Sequence, residues 1–286
     1  MSKFVAPMIG RAGLGNELFP VLRAADIAVK ESRVLLWPTW FQLKIGPVLR
    51  RERDKRMYWT IFRAPGFVSA VRLVWARFRG VTHALGTADD TYVTVRGMQN
   101  YFEGVGMAGP DFREMLLNQA RRGVVSPQET RPYLALHVRL GDFSRVGASE
   151  SEVSKNNTSS PIAWFVARVE AAREAHPDVR IFVCSDGEDA ELEPLLREEG
   201  VFRSAGRNAL DDLVFLSRAA GIIGSRSTFS AWGAFLGEVP MVVQTGGDAY
   251  RPHAQVWEAS AEQPTPEWDD EVRHRCAAAQ RDQDAG

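Results

Sequence analysis

The chain has 286 residues, enough for two domains with cores that need no covalent staples. Hydrophobic residues make up 45% and charged residues 25%, proportions of a folded globular protein that set aside a disordered or fibrous chain. A formal net charge of −1 gives no overall field to draw in nucleic acid, and the two cysteines, Cys184 and Cys276, make neither a metal-ligand spacing nor a disulfide framework.

In chain order, FVAPMI (4–9) reads as a first strand, and GRAGLGNELF (10–19) as a glycine-rich turn opening a helix that runs to about Lys30. The opening MSKFVAPMIG is too short in apolar residues for a signal peptide, and no window reaches the ~18 apolar residues of a membrane helix. With so few cysteines, a reducing cytosol is the simplest compartment. RVLLWP (33–38) reads as a second strand. The segment 44–80 reads as mostly helical, and from Lys44 to Arg79 it carries ten Lys and Arg against two acids, Glu52 and Asp54, with Tyr58, Trp59, Phe62, Phe67, Trp75 and Phe78 interleaved. Two readings of 44–79 stay open: a solvated helix face over core aromatics, or a surface that sits on anionic lipid headgroups in peripheral contact with the inner membrane face. A nucleic-acid surface has no accompanying recognition motif. Strands follow at 81–85 and 92–97, then a helix at 111–123 with Gly123 as its stop.

The linker VVSPQETRP (124–132) contains two prolines, and the domain boundary falls there, giving domains 1–130 and 131–286. The alternation then restarts. YLALHVRL (133–140) is a strand, 144–160 a polar loop and 161–175 a helix; RIFVCSD (180–186) is a strand, with helices near 188–199 and 209–219. GIIGS (221–225) is a strand, STFSAWGAFLG opens a helix, MVVQ (241–244) is a last strand, and the acidic tail after about 258 ends in a helix. Alternating strands and helices in two halves specify an α/β fold.

Polar clusters fall just past strand ends, where open α/β sheets bind ligands. In 10–19 the dinucleotide fingerprint fails: counted from Gly13 and Gly15, the third glycine position holds Leu18, and RVLLWP supplies no acid. Arg11 and Asn16 are polar groups that a plain strand-to-helix turn does not need, and Glu17 is a candidate general base. In LALHVRLGDF (134–143), Arg139 stays charged and can grip a phosphate with two parallel bonds. If the strand continues as far as Arg139, His137 shares its face, and Asp142 can hold Arg139 or cap the next segment of chain. Asp186 ends another strand; its two acceptor oxygens suit the ring N–H and exocyclic amine of guanine, and an N-cap role stands beside that reading. In GSRSTFSAWGAF (224–235), Ser227, Thr228, Phe229 and Ser230 open a helix whose first amides, with hydroxyls beside them, make either an anion site or an ordinary N-cap.

Taken together, GRAGLGNELF, LHVRLGDF, FVCSDGEDAEL and IIGSRSTFSAWGAFL resemble, in that order, the motifs of the α-1,2-fucosyltransferases of glycosyltransferase family 11. More distantly they are similar to α-1,6-fucosyltransferases and protein O-fucosyltransferases. The resemblance runs from about residue 9 to 245 and is most specific in the last motif. It implies a GT-B arrangement, two Rossmann-like domains facing across a cleft, with the N-terminal domain on the acceptor side and the C-terminal domain holding the nucleotide sugar. It implies GDP-fucose as donor substrate, no cofactor or metal, inversion at the anomeric carbon, and a glycan or lipid-linked oligosaccharide acceptor, the α-1,2 linkage being the family expectation. Arg139 matches the phosphate-binding arginine, His137 and Asp186 the guanosine side, Ser227–Ser230 the phosphate-side helix start, and Gly13, Gly15 and Asn16 the loop facing the reaction centre. This sequence departs from the pattern at Leu140 (second arginine), Gly187 (second aspartate), Glu17 (glutamine), and Arg226 and Ala231. Two alternatives remain: a transferase of another nucleotide-linked deoxysugar, and a nucleotide-sugar-binding protein without catalysis.

Overall fold

The computed structural model describes residues 2–10, 12–41, 57–83, 90–123, 131–140, 160–246 and 250–284. They form two compact units, Met1–Gly123 and Val124–Gly286. The break falls at the head of the expected linker, of which 124–130 lie outside the described residues, as do 44–56 of the basic segment. Among the described residues each unit is a parallel sheet with helices, so the α/β class expected from the alternating pattern is what the chain has.

In the first unit, β1 (Phe4–Met8), β2 (Val34–Leu35), β3 (Val81–Thr82) and β4 (Tyr92–Arg96) lie in the order β2-β1-β4-β3. The two sheet faces are covered by different helices. Val5 and Val95 pack with Ala24 of α1 (Leu14–Lys30), while Phe4, Ala6 and Leu36 pack with Ala76 of α2 (Phe67–Arg79). Parallel neighbours need such crossovers, and successive strand residues point to opposite faces. Helix α3 (Gly109–Asn118) follows β4 and starts with Pro110 in its first turn, where a missing N–H costs nothing.

Among its described residues the second unit has six strands: β5 (Tyr133–Val138), β6 (Arg180–Ser185), β7 (Val201–Arg203), β8 (Gly221–Gly224), β9 (Met241–Gln244) and β10 (Val256–Ala259). Between them run α4 (Ile162–Ala175), α5 (Asp189–Leu196), α6 (Ala209–Leu216) and α7 (Thr228–Gly237), and α8 (Pro266–Asp284) closes the chain. Every residue of β5 is buried, as the central strand of a sheet covered on both faces should be. Leu134, Leu136 and Val138 join one core with Trp164 and Phe165 of α4, Leu192 of α5 and Trp268 of α8. The alternate residues turn to the other face, where Tyr133 stacks on Phe215 of α6 with ring centres 4.5 Å apart. Two short strands, β7 and β10, went unpredicted. Each lies at a sheet edge with a single neighbour, and three or four residues give no legible alternation.

Candidate functional site

Read from β7, the second sheet runs β7-β6-β5-β8-β9-β10, the 3-2-1-4-5-6 order of nucleotide-binding doubly wound sheets. Connections leave β5 toward one edge and β8 toward the other, so a crevice opens between their carboxyl ends. The polar motifs of this unit are gathered there. Their strand ends are stitched by backbone: Ser225 N–H donates to the His137 carbonyl at 2.8 Å, and Arg139 N–H donates to Ser225 Oγ at 2.8 Å.

His137 is buried on the α7 face of β5. Its ring stacks on Phe229 at 4.9 Å and 26°, and Nδ1 lies 2.6 Å from Ser230 Oγ and 3.4 Å from Ser227 Oγ. Burial pushes its pKa down to about 4; the Asp186 carboxylate opposes that and the Arg139 guanidinium adds to it. The imidazole is therefore neutral at pH 7 and joins β5 to the first turn of α7 without charge. Ser227 is the N-cap of α7, its hydroxyl accepting from Ser230 N–H at 3.2 Å, and the Ala231 N–H bonds back to the Ser227 carbonyl. Gly224 lets strand end and helix mouth approach closely: a Cβ would stand 3.0 Å from Ser230 Cβ and 3.1 Å from its Oγ, so that Ser230 would have to give way by a few tenths of an ångström. Thr228 and Phe229 occupy the first turn, with the amide-rich end of α7 at the crevice.

On the other side of β5, Arg139 Nη1 pairs with Asp186 Oδ2 at the end of β6, and Asp186 Oδ1 accepts from Leu140 N–H at 2.9 Å. Both oxygens of Asp186, for which the sequence suggests either a guanine contact or an N-cap role, are engaged with the β5 end, so it sets the direction of Arg139. That is the holding role the sequence suggested for Asp142, which lies outside the described residues, as does Arg11. Arg203, at the end of β7, donates to the carbonyls of Ser185 and Gly187 at 3.0 and 2.8 Å and so fixes the loop that carries Asp186. Sequence reasoning missed Arg203 because the short strand that aims it was not recognised.

Two departures from the family pattern meet in space. A Cβ on Gly187 would stand 2.6 Å from Leu140 Cδ1. Where the family pattern has a second arginine and a second aspartate, this chain packs a leucine against a glycine. Arg226, a third departure, turns away to the far strands, donating to the Gln244 carbonyl at 2.8 Å and lying 3.6 Å from Glu258.

In the first unit, the order β2-β1-β4-β3 reverses between β1 and β4, and the Gly10–Glu17 loop leaves β1 at that point. Gly13 is the N-cap of α1, Gly15 is buried and Asn16 half-buried in the first turn. Glu17, the candidate base, is held by its own loop. It is 3% exposed, and its two oxygens accept from Gly10 N–H at 2.5 Å and Ala12 N–H at 2.6 Å, folding the glycine loop back on the helix. Beside this loop, past the end of β4, the sequence reading overlooked a second feature. Gly97, Gln99, Asn100 and Tyr101 all have positive φ, and the Arg23 guanidinium donates to the Tyr101 carbonyl at 3.0 Å. A run of left-handed non-glycine residues costs energy and persists only where its surroundings impose it. Asn100 between Gly97 and Gly104 was the available signal.

No family model and no curated protein matches the chain. Among solved structures it is similar to the fucosyltransferase NodZ from Bradyrhizobium (15% identity, 84% of this chain and 94% of that one, TM-score 0.42). It is similar also to the E. coli ADP-heptose lipopolysaccharide heptosyltransferase II (12% identity, 97% and 99%, TM-score 0.47) and to Arabidopsis thaliana FUT1 in complex with GDP (11% identity, 90% and 72%, TM-score 0.44). At these values the likeness does not bear on what this chain does.

Proposed function

We propose that the chain is a glycosyltransferase of two-domain GT-B type that moves L-fucose from GDP-fucose to a hydroxyl of a glycan acceptor, with inversion, without a metal, and in α-1,2 linkage. The observation that carries this reading is the stitched pair of strand ends at the switch point of the second sheet, with an aimed arginine on one flank and a helix mouth on the other. Neighbouring strands lie about 4.8 Å apart, so the ends of β8, β5 and β6 span roughly 10 Å, a gap that one diphosphate bridges. Direct displacement by an acceptor hydroxyl at the anomeric carbon breaks the bond to the β-phosphate oxygen and leaves the electron pair there. Arg139 and the first amides of α7 would receive that charge, fixed in place before it develops. Neutral His137 takes no part as an acid; it holds Ser230 and Phe229 against β5. With Glu17 committed to its loop, the hydroxyl proton leaves to acceptor-side groups or solvent as the bond to carbon forms.

A second reading has its own observation. Leu140 against Gly187 removes a cation from the strand end, which suits a protein that binds a nucleotide sugar without transferring it. GDP release from GDP-fucose with and without glycan acceptors, in the presence of EDTA, tests both. Acceptor-dependent release that GDP-mannose and UDP-galactose do not support is the expected result. Tight GDP binding with no release would leave the binding protein, and preference for another nucleotide-linked deoxysugar would change the donor.

A further inference from the structure

Helix α2 covers one face of the first sheet with Leu73 and Ala76, and its outward side is apolar. Phe67 is 84% exposed and Phe78 78%, and Val68, Val71, Val74 and Trp75 are exposed with them. At 100° per residue these six side chains occupy an arc of roughly 120°. Arg77 and Arg79 sit at its two margins. Between Met57 and Gly80 the sequence has four arginines and no acid. A second basic feature adjoins the start of the helix. The Phe62–Ala120 bridge, with Arg63 N–H on the Gln119 carbonyl at 2.8 Å and Arg121 N–H on the Ile61 carbonyl at 2.7 Å, joins two chain segments rigidly. Arg63, Arg121 and Arg122 thereby line an open cavity of about 350 Å³ together with Ala64. Arg63 lies four residues before Phe67, within roughly 14 Å. None of Arg63, Arg77, Arg79, Arg121 and Arg122 forms an ion pair among the described residues.

We infer that α2 and the Arg63–Arg121–Arg122 cavity form a surface that docks on an anionic lipid bilayer, the apolar arc entering the headgroup–acyl boundary and the arginines meeting lipid phosphates. Charge selects this occupant. A second copy laid face to face would bring the same unpaired arginines together at its rim, whereas anionic headgroups neutralise them. With 13 residues, α2 is too short to span, and among the described residues no helix is long and apolar enough to cross a membrane. An amphipathic helix of this kind lies in the interface plane. The inference does not depend on the donor chemistry of the second unit.

Flotation of the full chain with vesicles of phosphatidylcholine, with and without phosphatidylglycerol, tests it. Binding to the anionic vesicles alone, weakening with added salt, is expected. Phe67→Ser with Phe78→Ser should lower partitioning at least tenfold with an unchanged melting temperature, since both rings face solvent. Replacing Arg63, Arg121 and Arg122 by Gln should lower it roughly 100-fold. No binding to anionic vesicles at low salt would overturn the inference, as would binding indifferent to both sets of substitutions. So would a concentration-dependent dimer that the Phe67 and Phe78 changes abolish, because that would make a second copy the occupant.

Discussion

Arg139 is fixed twice, its backbone N–H on Ser225 and its guanidinium on Asp186, so its charge is aimed before any ligand arrives. Beside it, His137 makes a prediction about pH. Its folded pKa of about 4 lies below the unfolded value of roughly 6.5, so between them the unfolded chain binds more protons and stability falls as pH falls. From pH 7 to pH 5 this one group should withdraw about 2 kcal/mol, and denaturant unfolding should show that much less pH dependence in His137→Asn. An unchanged slope would mean that the imidazole titrates alike in the folded and unfolded chain. Leu140 and Gly187 make a second. Gly187→Ala should cost about 1–3 kcal/mol by overpacking against Leu140, and Leu140→Ala in the same chain should recover part of it, a coupling that a double-mutant cycle reads directly. At this scale the sequence was legible for residue type, and Ser227 does open α7, whereas β5 ends at Val138 and leaves Arg139 beyond the strand whose face it was expected to share with His137. Hydrogen-bond partners were not legible. Whether a carboxylate such as Glu17 or Asp186 faces ligand or its own backbone depends on loop geometry that residue identity leaves open.

Among the elements, strand ends and helix starts carry the candidate site, and glycine and hydroxyl residues marked them. The long buried strands were readable as apolar runs, because burial on both faces leaves His137 as the one strongly polar residue of β5, and α1 was readable from the glycine-rich turn that opens it. The edge strands β7 and β10 were not, and with β7 went Arg203. The segment after β4 was missed for a different reason, since a left-handed run leaves only an asparagine between glycines as its trace. Asn100, at φ 57°, should tolerate glycine with little loss of stability, whereas Asn100→Val should cost about 1–2 kcal/mol in chemical denaturation. Equal stability of the two variants would show that the left-handed conformation is not retained.

For the whole molecule, two α/β units in tandem followed from the restart of the strand–helix pattern past Gly123, and each unit has a strand order that reverses beside its glycine- or serine-rich motif. Strand order itself was not in the sequence, because pairing across crossovers depends on which edge each connection takes. The order found for the second sheet turns three separated motifs into neighbours, and the proposed activity stands on a diphosphate meeting Arg139 and the start of α7 together. Calorimetric titration of the full chain and of its Arg139→Ala variant with GDP tests this most directly. The account predicts saturable GDP binding that weakens at least about 100-fold in the variant, the loss expected for a bidentate charged contact, while the variant's melting temperature stays near that of the parent chain. Equal GDP affinity in the two proteins, or no GDP binding by the parent chain, would contradict it.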